Sequence, residues 1–239
     1  MNKIPLAYDS ILLNYANHRK YLEWMPELHP HLLVLGNTGS GKSYFIKLLL
    51  GNIAKKESKA RAICCCYKNA LLPPSTPNFY GYTSVTEGFE KAESIFLERL
   101  ESNTSNCKFD TYIVVIDEYV GWLASMEDRD SKAIKKRVAR LLTMSRSVSM
   151  NIILGATRGM AEDFSHGSRD CLNVIFLGSA SKESIRSFCS AEHASIIEPR
   201  GRGEGYAVFD GQPPAALTVP TVKSEKALNE AILKLLSYE

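Results

Sequence analysis

An eight-residue glycine-rich segment directly after a short apolar run constrains the fold of this chain more than any other feature. The apolar run spans Leu32 to Leu35, and the segment from Gly36 to Ser43 fits the pattern G-x-x-x-x-G-K-[ST]. An amphipathic stretch from Lys42 to Lys56 follows. This order of strand, glycine-rich turn and helix predicts a loop that binds the phosphates of a nucleotide.

The residue types of this segment suit phosphate binding. Glycines let successive backbone N–H groups turn toward an anion, and a helix N-terminus adds the positive end of its dipole. We expect Lys42 to neutralise the β- and γ-phosphates of ATP and Ser43 to reach a Mg²⁺ ion that bridges them. A glycine-rich turn that merely starts a helix does not need Lys followed by Ser. The predicted nucleotide-binding residues are Gly36, Asn37, Thr38, Gly39, Ser40, Gly41, Lys42 and Ser43.

Short apolar runs alternate with longer amphipathic segments along most of the chain. This alternation predicts an α/β fold, in which a mostly parallel central sheet is flanked by helices on both faces. The predicted strands cover residues 32–35, 62–66, 112–116, 151–154 and 174–177. The predicted helices cover residues 42–56, 86–101, 131–147 and 181–190. Two short strands at 206–209 and 216–219 and a helix at 224–236 are predicted to follow.

Length and composition set broader limits. The 239 residues, 45% of them hydrophobic and 23% charged, suit a single domain, with residues 1–29 as an N-terminal appendix and 30–239 as the P-loop ATPase domain. The apolar runs are shorter than the ~18 residues of a membrane span, so we expect a cytoplasmic protein without direct membrane insertion. Cys64, Cys65 and Cys66 are consecutive, which favours a buried strand over a zinc site.

Two adjacent carboxylates follow the apolar run from Ile113 to Ile116. Asp117 and Glu118 should lie at the carboxyl end of a buried strand, where open α/β sheets bind ligands. By itself such a pair is more often a helix cap or a solvated turn. With the phosphate loop upstream, we expect Asp117 to hold Mg²⁺ and Glu118 to accept a proton from the attacking water.

A polar residue also ends the later apolar run from Asn151 to Leu154. Thr157 follows Gly155 and Ala156, and it could contact the γ-phosphate if its strand lies between the loop strand and the acidic strand. The alternative is a hydroxyl that simply ends a strand. Thr157 is therefore a predicted sensor of the γ-phosphate.

These segments resemble the FtsK/HerA family of P-loop ATPases, particularly the motor domains of FtsK and SpoIIIE DNA translocases. The approach to the phosphate loop from Pro30, the acidic strand at 112–118 and the block from Arg146 to Arg158 carry the resemblance. It extends through Gly201-Arg202-Gly203-Glu204-Gly205, and it covers about residues 30 to 220. The family usually has Gln where Thr157 stands, and the match is weak between residues 60 and 110.

The resemblance implies a RecA-like fold and a hexameric ring of identical subunits that moves double-stranded DNA through a central pore by hydrolysing ATP. Arg146 matches the family's arginine that reaches the γ-phosphate bound by a neighbouring subunit, and Arg186 is a second candidate. An ordinary cation near a helix carboxyl terminus is the alternative role for Arg146.

Candidate DNA contacts come from a run of basic residues. At helical spacing Lys132, Lys136 and Arg140 lie opposite an apolar stripe, and Arg158 follows the predicted sensor strand. A solvated helix face is the alternative, since charge runs commonly have that role. The net charge of +3 does not indicate nucleic acid by itself, although a ring would concentrate cations from every subunit in its pore.

The predicted function is therefore an ATP-driven DNA translocase. The absence of room for membrane segments or a sequence-reading module favours genome packaging or conjugative transfer, with a capsid, a channel or a relaxase as docking partner. A nucleotide-dependent assembly switch that does not move DNA is the main alternative, and Glu118 argues against it because a switch can manage with Asp117 alone. A small-molecule kinase would need an acceptor-binding lid, which the sequence does not suggest.

Overall fold

The computed structural model describes residues 3–69, 71–103, 108–165 and 167–238. These described residues form one ten-stranded sheet with helices on both faces. The strands are β1 (Ile4–Asp9), β2 (Tyr21–Trp24), β3 (His31–Gly36), β4 (Arg61–Cys66), β5 (Phe79–Tyr80), β6 (Tyr112–Asp117), β7 (Met150–Ala156), β8 (Leu172–Leu177), β9 (Glu204–Val208) and β10 (Ala215–Thr218). The helices are α1 (Ser10–Ala16), α2 (Lys42–Lys56), α3 (Val85–Glu101), α4 (Tyr119–Ala124), α5 (Asp128–Met144), α6 (Lys182–Phe188), α7 (Ala191–Ile196) and α8 (Glu225–Leu236).

The strand order is β2-β1-β10-β9-β8-β3-β7-β6-β4-β5. The strands from β8 to β5 in this order are parallel, whereas β9, β10, β1 and β2 pair antiparallel to their neighbours. The sequence prediction of a mostly parallel α/β sheet is confirmed, and so is the position of β7 between β3 and β6.

The central strands are buried on both faces because helices cover both. Leu32 and Val34 of β3 face the core under α2 and α8, while Leu33 and Leu35 face the core under α3, α4 and α5. Every residue of β3, β6 and β7 is buried, which explains why these strands are nearly continuous apolar runs in the sequence. The cysteine triplet of β4 is likewise buried, and burial raises the pKa of the Cys65 thiol.

The helix predicted at 131–147 has different bounds in the structure. Helix α5 begins at Asp128 and not at 131, because Asp128 and Asp130 suit the positive end of the helix dipole. It ends at Met144, and a separate 3₁₀ turn from Ser145 to Val148 carries Arg146.

The first residues of the chain extend the same sheet. Strand β1 pairs with both β2 and β10, and the Trp24 side chain is fully buried with its indole N–H donating to the His29 carbonyl at 2.6 Å. The division into residues 1–29 and 30–239 stays a prediction. In the described part of the chain, no helix has the length and apolar character needed to cross a membrane.

Candidate nucleotide-binding site

The predicted phosphate loop joins the carboxyl end of β3 to the first residue of α2. Gly39 and Gly41 have φ of 87° and 98°, a region that side chains disfavour, so the loop turns sharply before the helix. Gly36 has no room for a side chain, because a Cβ there would lie 2.8 Å from the Leu177 carbonyl oxygen. The loop is held from two sides, since the Gly203 N–H donates to the Ser40 carbonyl at 2.9 Å and the Asn37 amide donates to the Ser179 carbonyl.

Strands β6 and β7 bring the other predicted site residues to the same edge of the sheet. Asp117 is the last residue of β6 and Glu118 follows it, while Thr157 follows the last residue of β7. Because β3, β7 and β6 are adjacent and parallel, their carboxyl ends meet beside the loop. The structure thus brings Lys42, Ser43, Asp117, Glu118 and Thr157 together.

Lys42 lies between the two carboxylates. Its Nζ is 3.1 Å from Asp117 Oδ1 and 2.9 Å from Glu118 Oε1, and all three side chains are largely buried. Burial by itself would lower the pKa of Lys42, but the two carboxylates outweigh it and raise that pKa. The ammonium group therefore stays charged, and Ser43 adds a hydrogen bond from Oγ to Asp117 Oδ2 at 3.0 Å.

Glu118 adopts a left-handed backbone conformation with φ of 61° at the start of α4. Such a conformation costs a non-glycine residue about 1–3 kcal/mol and is concentrated at functional sites. Its backbone N–H donates to Asp117 Oδ1 at 3.0 Å, and Thr157 Oγ1 donates to its Oε2 at 3.2 Å. Burial would raise the pKa of Glu118, yet Lys42 and Lys68 together hold that pKa below its usual value.

These residues fit a magnesium nucleotide. Hydroxyl and carboxylate oxygens, such as those of Ser43 and Asp117, are ligands that Mg²⁺ prefers. The loop, which includes Lys42, lines an open cavity of about 290 Å³, and Glu118 lines the same cavity. A Cβ built on Gly39 would meet no atom within 4 Å among the described residues, so the loop backbone faces open space where phosphates can approach.

Three residues that the sequence prediction did not include line the same cavity. They are Lys68, Arg202 and Tyr44. Lys68 Nζ lies 3.1 Å from Glu118 Oε1. Lys68 follows the buried run of β4, but no motif in the sequence marks it as a site residue. Arg202 lies in the glycine-rich turn that contacts the loop through Gly203.

Arg146 lies at the amino ends of the central strands, opposite the nucleotide site. It precedes β7 at the amino end, whereas Thr157 follows the carboxyl end, and a seven-residue strand spans about 20 Å. Its side chain is exposed and lines a cavity with Glu27, Glu57 and Phe109. The structure therefore does not bring Arg146 to the nucleotide site of its own chain.

The candidate DNA-contacting residues differ in their surroundings. Lys132 and Lys136 are exposed on α5, and Arg158 is exposed after β7. Arg140 is exposed too, but its guanidinium donates to Glu93 Oε1 of α3 at 2.7 Å, and the neighbouring Arg137 also pairs with Glu93. The intramolecular ion pair already compensates part of the charge of Arg140, whereas Lys132 and Lys136 form no ion pair among the described residues.

The fold is that of RecA-like P-loop proteins, with a glycine-rich loop after β3, two carboxylates at the end of β6 and a hydroxyl at the end of β7. The family model described as "Helicase HerA, central domain" matches residues 13–63. The FtsK domain-containing protein YdcQ of Bacillus subtilis (strain 168) is 21% identical over 206 residues, which cover 79% of this chain and 42% of YdcQ. The chain thus spans about two fifths of that relative.

Solved structures share the fold. The cytoplasmic domain of the Thermomonospora curvata type VII secretion ATPase EccC has a TM-score of 0.69 at 17% identity, over 93% of this chain and 26% of EccC. The pCW3 conjugation coupling protein TcpA, solved with ATPγS, has a TM-score of 0.68 at 20% identity, over 90% of this chain and 67% of TcpA. The genome packaging NTPase B204 of Sulfolobus turreted icosahedral virus 2, also in complex with ATPγS, has a TM-score of 0.55 at 16% identity, over 79% of this chain and 96% of B204. These comparisons confirm the resemblance to FtsK/HerA-type P-loop ATPases.

Proposed function

We propose that this protein hydrolyses ATP and uses the energy to move double-stranded DNA through a hexameric ring of identical subunits. The observation that carries the proposal is the cluster at the carboxyl ends of β3, β6 and β7. There Lys42 contacts both Asp117 and Glu118, and Ser43 and Thr157 each bond to one of these carboxylates. A basic residue, a metal-binding pair and a positioned base are the parts that phosphoryl transfer to water requires.

Each residue has a distinct role in this proposal. The loop backbone and Lys42 hold the β- and γ-phosphates, and Glu118 accepts the proton of the water that attacks the γ-phosphorus as the bond to the β-phosphate oxygen breaks. Thr157 contacts Glu118 and is placed to respond when the γ-phosphate leaves. Ser43 and Asp117 would hold Mg²⁺, which supplies positive charge to the phosphate oxygens.

The ring is supported by the position of Arg146. An arginine about 20 Å from the site of its own chain can take part in hydrolysis when it faces the site of a neighbour. A repeated head-to-tail contact forms a ring when the rotation between neighbouring subunits closes, as it does in the family that this chain resembles. In this proposal residues 30–239 are the motor and residues 1–29 are an appendix to it.

DNA is proposed as the moved substrate because of the exposed cations and the relatives. Lys132, Lys136 and Arg158 are exposed and suit contact with phosphates, with no sequence reading required. TcpA and B204, which share the fold, are described as proteins of conjugation and of genome packaging. We infer that this chain serves either genome packaging or conjugative DNA transfer, with a capsid, a conjugation channel or a relaxase as docking partner and a cytoplasmic location.

A second candidate is a nucleotide-dependent switch that organises a protein complex without moving DNA. EccC, which has the same fold, is described as a secretion ATPase, so the fold alone does not require DNA. The two candidates differ in whether duplex DNA stimulates hydrolysis.

Steady-state hydrolysis of ATP by the purified chain, with and without duplex DNA, tests the proposal. We expect DNA to raise kcat, and we expect Lys42→Ala and Glu118→Gln each to abolish hydrolysis, Glu118→Gln with nucleotide binding retained. Electron microscopy with an ATP analogue and duplex DNA should show threaded rings. Single-turnover hydrolysis that DNA does not change would favour the switch instead.

A further inference from the structure

Lys68 is a second lysine at the candidate catalytic base. Its Nζ lies 3.1 Å from Glu118 Oε1, the same oxygen that Lys42 Nζ contacts at 2.9 Å. The Lys68 side chain is 55% exposed, whereas that of Glu118 is 11% exposed. Lys68 therefore reaches from the rim of the cavity to a carboxylate at its wall.

The turn that carries Lys68 is held in place on both sides. The Tyr67 N–H donates to the Asp117 carbonyl at 3.3 Å, and the Tyr67 ring packs 4.9 Å from the ring of Tyr82. Asn69 Oδ1 accepts a hydrogen bond from the Tyr82 backbone N–H at 2.9 Å. The backbone of Lys68 is thus fixed to the acidic strand, and its side chain starts from a defined position.

The need for a second cation follows from what Lys42 does. Lys42 and Lys68 share Oε1 of Glu118, and Thr157 donates to Oε2. If Lys42 binds the phosphates as proposed, it would leave Glu118, and Lys68 would be the cation that stays on Oε1 among the described residues. Without a cationic partner, the largely buried Glu118 carboxylate would keep only the hydrogen bond from Thr157, which holds its orientation less strongly than an ion pair does.

We propose that Lys68 is a positioning residue, which holds the Glu118 carboxylate in place for proton acceptance while Lys42 binds the phosphates. This inference rests on the proposed ATP hydrolysis and names a residue of that same site. It assigns Lys68 no contact with the nucleotide.

The test compares Lys68→Met, which keeps the length of the side chain and removes its charge, with Lys68→Arg, which keeps the charge. We expect Lys68→Met to lower kcat by about 10- to 100-fold, the size of effect that a misplaced catalytic group produces. The KM for ATP and the Kd for ATPγS, measured by calorimetry, should stay within about twofold of wild type, since Lys68 acts through Glu118 and leaves nucleotide binding unchanged. Lys68→Arg should recover most of the lost kcat, which a merely structural role would not predict.

A matched control removes a lysine from a comparable ion pair elsewhere. Lys3 Nζ is also 3.1 Å from a glutamate oxygen, Glu23 Oε2, and its side chain is 60% exposed. This pair lies at the far edge of the sheet, because Lys3 directly precedes β1 and Glu23 is in the edge strand β2. Lys3→Met should leave kcat, KM and Kd unchanged.

The outcomes separate this inference from the proposed function. If the wild-type chain hydrolyses ATP and Glu118→Gln does not, an unchanged kcat in Lys68→Met overturns the role of Lys68 alone. A weaker Kd for ATPγS at unchanged kcat would also overturn it, since Lys68 would then contact the nucleotide. If the wild-type chain does not hydrolyse ATP, both proposals fall together.

Discussion

Gly155 shows how closely neighbouring strands approach at the candidate site. It lies in β7 beside the end of β6, and a Cβ at this position would be 2.2 Å from Asp117 Oδ1 and 3.0 Å from Ile46 Cδ1. That oxygen of Asp117 also accepts hydrogen bonds from Lys42 and from the backbone of Glu118. Because Gly155 has no side chain, the Asp117 carboxylate can occupy the space beside it.

We predict that Gly155→Ala displaces the Asp117 carboxylate and lowers the kcat of ATP hydrolysis by about tenfold or more, since small displacements of reacting groups have large effects on rate. Steady-state hydrolysis assays measure the change. Gly121→Ala in α4 is the matched control, because the nearest atom to its Cβ is 3.6 Å away, an ordinary van der Waals distance. Full activity in Gly155→Ala would contradict the assigned position of Asp117.

At the scale of helices, α2 connects the phosphate loop to the carboxyl-terminal helix α8. Gly51 of α2 lies directly against Leu228 of α8, where a Cβ would meet Leu228 Cδ1 at 2.1 Å. Leu228 and Ile232 are almost fully buried in the core on that face of the sheet. Gly51 thus allows the two helices to approach closely.

Substitutions at this contact should be strongly non-additive. Gly51→Ala should destabilise the fold by about 1–3 kcal/mol through overpacking, and Leu228→Ala by about 2–5 kcal/mol through a cavity. The double variant should be less destabilised than the sum of the two, because the smaller side chain at 228 makes room for the new methyl group. Urea unfolding of the four proteins measures this coupling. Simple additivity would show that α2 and α8 do not pack as described.

The sequence predicts most of the helices and strands, but it does not predict the strands that form only by pairing with distant parts of the chain. Helix α2 has the predicted bounds, because the glycine-rich turn and the amphipathic pattern both mark it. Strands β1 and β2 were not predicted, since their burial depends on antiparallel pairing with β10, a contact between distant parts of the chain.

The residues of the candidate site could likewise be predicted only in part. Lys42, Asp117 and Glu118 are in recognisable patterns at strand ends, and the structure brings them together. Lys68 has no motif around it, and its position follows from the register of β4 and β6, in which Cys66 pairs with Asp117. Register between strands that are 51 residues apart cannot be read from local pattern, so Lys68 became evident from the structure.

At the scale of the whole molecule, Arg146 and the phosphate loop lie at opposite ends of the central strands. In the proposed ring, one chain would therefore carry two separate halves of a complete site. If the ring is correct, a Lys42→Ala subunit still offers Arg146 to its neighbour, and an Arg146→Ala subunit still offers an intact loop. Each variant by itself should be inactive or nearly so, since an arginine supplied in trans contributes about 10³–10⁵ in rate. Mixing the two should restore hydrolysis.

The size of the recovery tests the head-to-tail arrangement. In a random equal mixture, an intact loop faces an intact arginine at about a quarter of the interfaces, so hydrolysis should reach about a quarter of the wild-type rate if sites act independently. Mixing Lys42→Ala with the double variant Lys42→Ala Arg146→Ala is the control and should stay inactive, because it contains no intact loop. If Arg146→Ala keeps wild-type activity, Arg146 takes no part in ATP hydrolysis. If both single variants are inactive and their mixture is inactive too, Arg146 acts within its own chain. That result would contradict the separation between Arg146 and the phosphate loop.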